Sequence, residues 1–368
     1  MPRPDKRLRV LLFGPPTSHL EHAQDTLSAL GHDVIVVSYD THHSAEVAHF
    51  PLIEGNRRAL TVWNLIVARA KFKAVLRSTR PDLVHAHWIT GPGWIAALAR
   101  ARPLVVSAWG SDALRWTPGS RLARALMRLV AQRAQAITYD ADGVRVALER
   151  LGVPRARLTG IVFGIQERFQ PGPGQPDLLE NLGVPTEHPV VLAPRGLDAV
   201  YRPETIISAF IRVAANRPST LLLRVAPGQQ RLLEDLERQF GDLRASGIVA
   251  YESVDAGDLP ALLRSAAVVV SVPESDGSSV LLLEAIACET PVVVSDLPAN
   301  REWVTDGLAP VVPIGDAIAL ANAIEGVLAD QQHARMGMRK LAGPVRQRAS
   351  IENEHSELAH LYRTLTSG

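Results

Sequence analysis

Two stretches of this sequence space polar residues so that they could do chemistry. The first is Val268–Trp303, VVVSVPESDGSSVLLLEAIACETPVVVSDLPANREW. A β-branched run enters Pro273, a polar turn follows, and Gly277, Ser278 and Ser279 open a predicted helix. A helix N-terminus exposes free backbone N–H groups and partial positive charge, which favour a phosphate. Small residues let that phosphate approach the backbone closely. Asp276 precedes the turn, and Glu284 stands eight residues later. That spacing is about two helical turns and puts the second carboxylate at a reach suited to ribose hydroxyls. A carboxylate accepts hydrogen bonds from two hydroxyls at once.

The second stretch is PDLVHAH, where His85 and His87 flank Ala86 at a strand end and so share one face of an extended chain. His87 is the better placed of the two to line a cleft. Two histidines without a third ligand make a poor metal site, so no metal is expected. After the first strand comes FGPPTSH, in which Gly14 to His19 form a loop. That loop lacks the G-x-G-x-x-G pattern, which argues against a nicotinamide or flavin dehydrogenase, and the chain has no Walker loop. His42, His43 and His49 read as exposed residues of a polar loop.

These residues depend on the elements around them. Short β-branched runs alternate with helical patterns: strands at Arg9–Phe13, Asp33–Ser38, Leu83–His85, Leu104–Ser107 and Ala136–Tyr139, with helices between them. The alternation pauses over Phe169–Pro189, which contains PGPGQP and reads as a linker, and restarts at Val190. Strands alternating with helices mean βαβ units and parallel sheets covered on both faces. The predicted fold is α/β, two tandem doubly wound Rossmann-like domains facing across a cleft. The expected divisions are 1–170, 171–345 and a C-terminal helical stretch, 346–368, that packs back on the first domain. In open parallel sheets ligands sit beyond the carboxyl ends of the strands.

Bulk properties narrow the class further. With 46% hydrophobic and 21% charged residues the chain can build full cores. The basic N-terminus meets only four apolar residues, Val10–Phe13, before Gly14, too few for a signal peptide. A single cysteine, Cys288, excludes an internal disulfide and fits a reducing compartment. A cytoplasmic protein is expected. Net charge is +1, yet residues 1–170 hold 23 Lys+Arg against 13 Asp+Glu, while the remainder holds 16 against 25. Asn56–Thr79 and Gly119–Gln135 read as amphipathic helices with basic faces. They are either ordinary solvated faces or a contact for an anionic membrane surface or a phosphorylated lipid acceptor. No nucleic-acid partner is indicated.

The Asp276–Glu284 segment resembles the Glu-x7-Glu signature of family 4 retaining glycosyltransferases, which have the GT-B fold. In that pattern an acidic residue, a glycine-rich turn and a helix precede a Pro-Val-Val strand. Here DGSSVLLLEAIA is followed by TPVVVSDLP, REWV and DGLAPVVPIGD. GHDVIVVS, PDLVHAH, the Gly110-Ser111-Asp112 triplet and FGIQERFQP match further landmarks in order, so the resemblance spans nearly the whole chain.

The resemblance implies sugar transfer, with retention, from a nucleotide diphosphate sugar to an acceptor that is a sugar, a lipid phosphate or a small molecule. The nucleotide sugar is a co-substrate, and no cofactor is implied. Glu284 would contact the ribose, and Asp276, in the usual glutamate place, would hold donor-sugar hydroxyls. Arg195 stands where the family offers an arginine to the diphosphate, whose oxygens it could grip with two parallel N–H bonds. The lysine place falls on Tyr201, with Arg202 beside it. Trp109 occupies the place of a histidine near the reacting sugar, so either it packs against the sugar ring as an aromatic platform or the site works differently. Asp112, His87 and His19 are candidates on the acceptor side, and Gly14 lies in a donor-facing loop. Two alternatives fit less of the pattern: a nucleotide-sugar-binding protein without turnover, and a sugar-nucleotide epimerase of the same fold.

Overall fold

The computed structural model describes residues 7–38, 62–115, 121–185 and 187–367. The three loop histidines His42, His43 and His49, and the first residues of both predicted basic helices, lie outside them. The chain forms two compact units, one of residues 1–162 with 352–368 and the other of residues 163–351.

Unit 1 contains strands β1 (Arg9–Phe13), β2 (Asp33–Val37), β3 (Leu83–His87), β4 (Leu104–Ser107), β5 (Ala136–Tyr139) and β6 (Leu158–Gly160). Its helices are α1 (Ser18–Ala29), α2 (Val62–Thr79), α3 (Trp94–Ala99), α4 (Ser111–Leu114), α5 (Arg121–Arg133) and α6 (Asp142–Arg150). All described pairings in its sheet are parallel, in the order β2-β1-β3-β4-β5-β6. Side-chain alternation assigns the two faces. Val10 and Leu12 of β1 pack with Leu20 and Leu27 of α1 and with Leu358, Leu361 and Tyr362 near the C-terminus. Phe13, the next residue along, points the other way and stacks on Phe72 of α2, ring centroids 4.6 Å apart.

Unit 2 contains β7 (Val190–Ala193), β8 (Thr220–Arg224), β9 (Ile248–Tyr251), β10 (Val268–Ser271), β11 (Val292–Ser295) and β12 (Val311–Val312). Its helices are α7 (Pro176–Asn181), α8 (Pro203–Asn216), α9 (Gln230–Phe240), α10 (Leu259–Ser265), α11 (Val280–Ala287), α12 (Pro298–Arg301), α13 (Ala317–Ala329) and α14 (Gln331–Arg348). The sheet is parallel in the order β12-β11-β10-β7-β8-β9. Val191, Leu221, Val268 and Val293 form its core with Phe210 of α8 and Ile324 of α13. Such β-branched strands, buried on both faces, are what a covered parallel sheet requires.

The proline-rich stretch is not a bare linker. Ile165 N–H donates to the Ala349 carbonyl and Ile165 pairs with Ser350, which ties this entry segment into unit 2. The unit boundary therefore falls at Phe163 rather than 171. The same bridge interrupts the predicted C-terminal helix: α14 ends at Arg348, and α15 (Ile351–Thr366) lies, from Glu352 on, with unit 1. No described helix is long and apolar enough to cross a membrane.

Each sheet has one place where strand order reverses, between β1 and β3 in unit 1 and between β7 and β10 in unit 2. Loops leaving the carboxyl ends of strands at such a point diverge to opposite faces and leave a crevice.

Candidate active site

In unit 2 the reversal brings the loop after β7 against the loop after β10. Arg195, just past β7, donates from one guanidinium nitrogen to Ser279 Oγ at 2.8 Å and lies 3.2 Å from Asp276 Oδ2. Its guanidinium stacks over the Tyr201 ring, 4.3 Å from the centroid. Tyr201, in the lysine place, thus supplies a stacking surface rather than a second cation. Burial works against the Arg195 charge and Asp276 sustains it, so the guanidinium stays ionised. Burial raises the Asp276 carboxyl above its ordinary range, against the pull of Arg195 and the Gly277 N–H.

The turn differs from its predicted form in detail. The helix begins at Val280, with Ser279 as its cap residue, so Gly277–Ser279 lead into it rather than form its first turn. Ser278 and Ser279 are buried: Ser278 Oγ accepts from Trp303 Nε1 at 3.0 Å, and Ser279 Oγ accepts from Arg195. Gly277 N–H donates to Asp276 Oδ1 at 3.1 Å. Asp276 is one methylene shorter than glutamate and lies against Arg195. Its Oδ2 is buried and, apart from that ion pair, accepts no hydrogen bond. Glu284 sits one turn into α11 rather than two. Burial lifts its carboxyl to about 8, with Arg168 pulling weakly the other way. Arg202 is committed elsewhere than expected, pairing with Glu274 at 2.9 Å from a left-handed backbone (φ 56°).

In unit 1 the loops after β1, β3 and β4 meet. His87 is buried, and neither ring nitrogen has a hydrogen-bond partner. Its ring lies 4.5 Å from His85 and 5.5 Å from Trp109, and Trp109 stacks on His19 at 4.8 Å. With two imidazoles against its ring, Trp109 is part of an aromatic stack and not an open platform. Burial, followed by the charges of neighbouring histidines, holds His87 well below its ordinary pKa, so it is neutral. His85 is structural: Tyr362 Oη and Ser107 Oγ each lie 2.7 Å from one of its ring nitrogens, and burial lowers its pKa to about 3. Gly14 must be small, because a Cβ there would lie 3.0 Å from His87 Cβ.

Asp112 is a correction of a different kind. Its two oxygens accept from Ile89 N–H at 2.8 Å and Trp109 N–H at 2.9 Å, so it clamps two loops together rather than reaching for a substrate. Burial, opposed by those bonds, lifts it to about 6. The clamp holds Trp88 at φ 83°, a conformation that costs a bulky L-residue energy. Sequence reasoning missed Trp88, Tyr362, Trp303 and Glu274, because each acts through a partner distant in the chain. Among the described residues no group of three His, Cys, Asp or Glu side chains is gathered as a metal would need.

Comparison with known proteins fits this two-part arrangement. A family model described as "Glycosyl transferase 4-like" matches residues 9–141, and one described as "Glycosyl transferases group 1" matches residues 175–341. The chain belongs to the family 4/group 1 type of glycosyltransferases. A curated relative, glycogen synthase of Mycobacterium tuberculosis, is 28% identical and aligns over 90% of this chain and 87% of its own. Sucrose-phosphate synthase from Thermosynechococcus elongatus superposes with a TM-score of 0.82 at 20% identity, covering 98% of this chain and 100% of its own. Anabaena HepE, solved in complex with UDP-glucose, gives 0.79 at 18% identity over 98% and 100%. These likenesses give the glycosyltransferase its GT-B fold.

Proposed function

We propose that this glycosyltransferase moves a sugar from a nucleotide diphosphate onto an acceptor hydroxyl with retention at the anomeric carbon. The observation that carries the reading is Arg195, held by Tyr201, Ser279 and Asp276 beside the Gly277–Ser279 turn at the strand-order reversal of unit 2. As the bond from the anomeric carbon to the phosphate oxygen breaks, negative charge grows on the leaving diphosphate, and Arg195 with the turn's backbone N–H groups would neutralise it. The leaving phosphate takes the acceptor's proton on the same face, so no covalent intermediate and no metal is needed. Two half-buried carboxylates suit donor hydroxyls: Asp276, whose Oδ2 accepts no hydrogen bond apart from its ion pair with Arg195, and Glu284 on the helix that follows the turn. Unit 2 is then the donor domain. Unit 1, with the His87, Trp109 and His19 stack, serves the acceptor, which is a sugar, a lipid phosphate or a small molecule. The nucleotide sugar is the co-substrate, and no separate cofactor takes part. A cytoplasmic location, with peripheral contact at an anionic membrane, fits a chain whose single cysteine is buried and unpaired.

The UDP-glucose complex of HepE supports a nucleotide-sugar donor. A thermal-shift panel of UDP, GDP, ADP and dTDP with their sugar conjugates tests this. A ligand at about 100 times its Kd stabilises the fold by ~2.7 kcal/mol, so one base should raise the Tm clearly; no shift with any would overturn the reading. Turnover separates transfer from mere binding. Glu284→Ala and Trp109→Ala should each slow sugar release, and unchanged rates in both would remove these residues from the site.

A further inference from the structure

Unit 1 is electrically two-sided. On one face of its sheet α2, α3 and α5 pack in that order, α2 against α3 and α3 against α5. These three helices contain no Asp or Glu. They present Arg69, Lys71, Lys73 and Arg77 on α2, Arg100 at the end of α3, and Arg121, Arg124, Arg128 and Arg133 on α5. Helices α1 and α15, on the opposite face, carry Glu21, Asp25, Glu352, Glu354 and Glu357 against one arginine, Arg363. Helix α6 balances its charge, Arg145 and Arg150 standing against Asp142 and Glu149, and Arg145 pairs with both carboxylates.

Arg69 and Arg133 are occupied, donating to the Leu98 and Ala97 carbonyls at the C-terminal end of α3. The other seven cations of the layer form no ion pair among the described residues. The Arg69 charge, then slight desolvation and the charges of Arg100 and Arg77, hold the Lys73 ammonium below its ordinary pKa. A soluble surface ordinarily intersperses the two signs; here one sign is gathered and left uncompensated. Apolar side chains stand among the cations. Ile66 is 49% exposed and shares a helical stripe with Ala70, Lys73 and Arg77, and Leu122 on α5 is 42% exposed. A dissolved polyanion would use only the charges, whereas the headgroup boundary of a bilayer accommodates both.

We propose that the α2–α3–α5 face of unit 1 docks on a bilayer surface rich in anionic lipid headgroups, with Ile66 and Leu122 entering the interface. The docking rests on the peripheral membrane contact proposed above and not on the donor chemistry in unit 2. Co-sedimentation of the full chain with phosphatidylcholine vesicles, and with equimolar phosphatidylcholine and phosphatidylglycerol, tests it. Binding should be at least about tenfold stronger to the anionic vesicles and should fall as salt screens the charges. The combined change Lys73→Glu, Arg77→Glu, Arg124→Glu and Arg128→Glu should abolish that preference. Ile66→Ser with Leu122→Ser should weaken what binding persists at high salt. Equal binding to both vesicles, or an unaltered preference in the charge-reversed protein, would overturn the proposal. So would capture by heparin with no vesicle binding, which would indicate a soluble polyanion instead. Nucleotide-induced stabilisation of each variant serves as the folding control. Its loss in the wild-type protein, with vesicle binding intact, would overturn the donor reading alone.

Discussion

The two strand-order reversals solve the same topological problem with opposite chemistry. In unit 2 the crevice is ionic: Arg195 faces Asp276, Arg202 faces Glu274, and Glu284 is half-buried on the helix that follows the turn. In unit 1 it is aromatic, a run of His85, His87, Trp109 and His19 rings in which burial keeps His85 and His87 uncharged, with Asp112 tying the loops from behind. The difference teaches where charge is tolerated. A guanidinium can be buried beside a diphosphate site because a carboxylate and a stacked ring hold it until the ligand arrives. An imidazole buried with no hydrogen-bond partner stays neutral, since burial penalises its charged form. It can then give or take one hydrogen bond without bringing charge to the acceptor side.

The sharpest way to break the comparison is to remove the ionic side. Arg195→Ala should lower turnover by about 10²–10³-fold, the scale of losing one preorganised donor to developing charge, and should weaken nucleotide diphosphate binding more than monophosphate binding. Equal losses for both nucleotides would mean that Arg195 does not meet the terminal phosphate. On the aromatic side, Asp112→Ala leaves the Ile89 and Trp109 backbone N–H groups unpaired. It should cost about 2 kcal/mol or more in chemical denaturation, with nucleotide affinity unchanged. An unaltered midpoint would show that Asp112 does not clamp the loops.

A further effect is a pH dependence. Glu284 has its folded pKa raised to about 8 from 4.5, so the native state binds its proton more tightly than the unfolded chain does. The resulting stability is present below about pH 4.5 and is lost as pH rises through 8. Glu284→Gln should therefore melt increasingly above the ligand-free wild type between pH 5 and pH 9. Parallel Tm curves would show that the carboxyl is not buried as described.

Much of this was legible in the sequence, and the reasons are local. Val, Ile and Leu runs separated by helical patterns specify covered parallel strands, and β1, β4 and β5 fall at their predicted residues. Asp276, Gly277–Ser279 and Glu284 occupy one turn and the helix it leads into, so their proximity follows from chain spacing alone. What spacing could not express is competition for partners. Asp276 is drawn to Arg195 from another strand, Arg202 is taken by Glu274, and Asp112 gives both oxygens to backbone donors on two loops. His85 is fixed by Tyr362, 277 residues away. Residue types and periodicity determined which strands, helices and signature residues this protein has, because those depend on neighbours within a turn or two. Only the tertiary structure decided which polar groups remain available to a ligand, because a buried donor or acceptor must be satisfied by whatever packs against it.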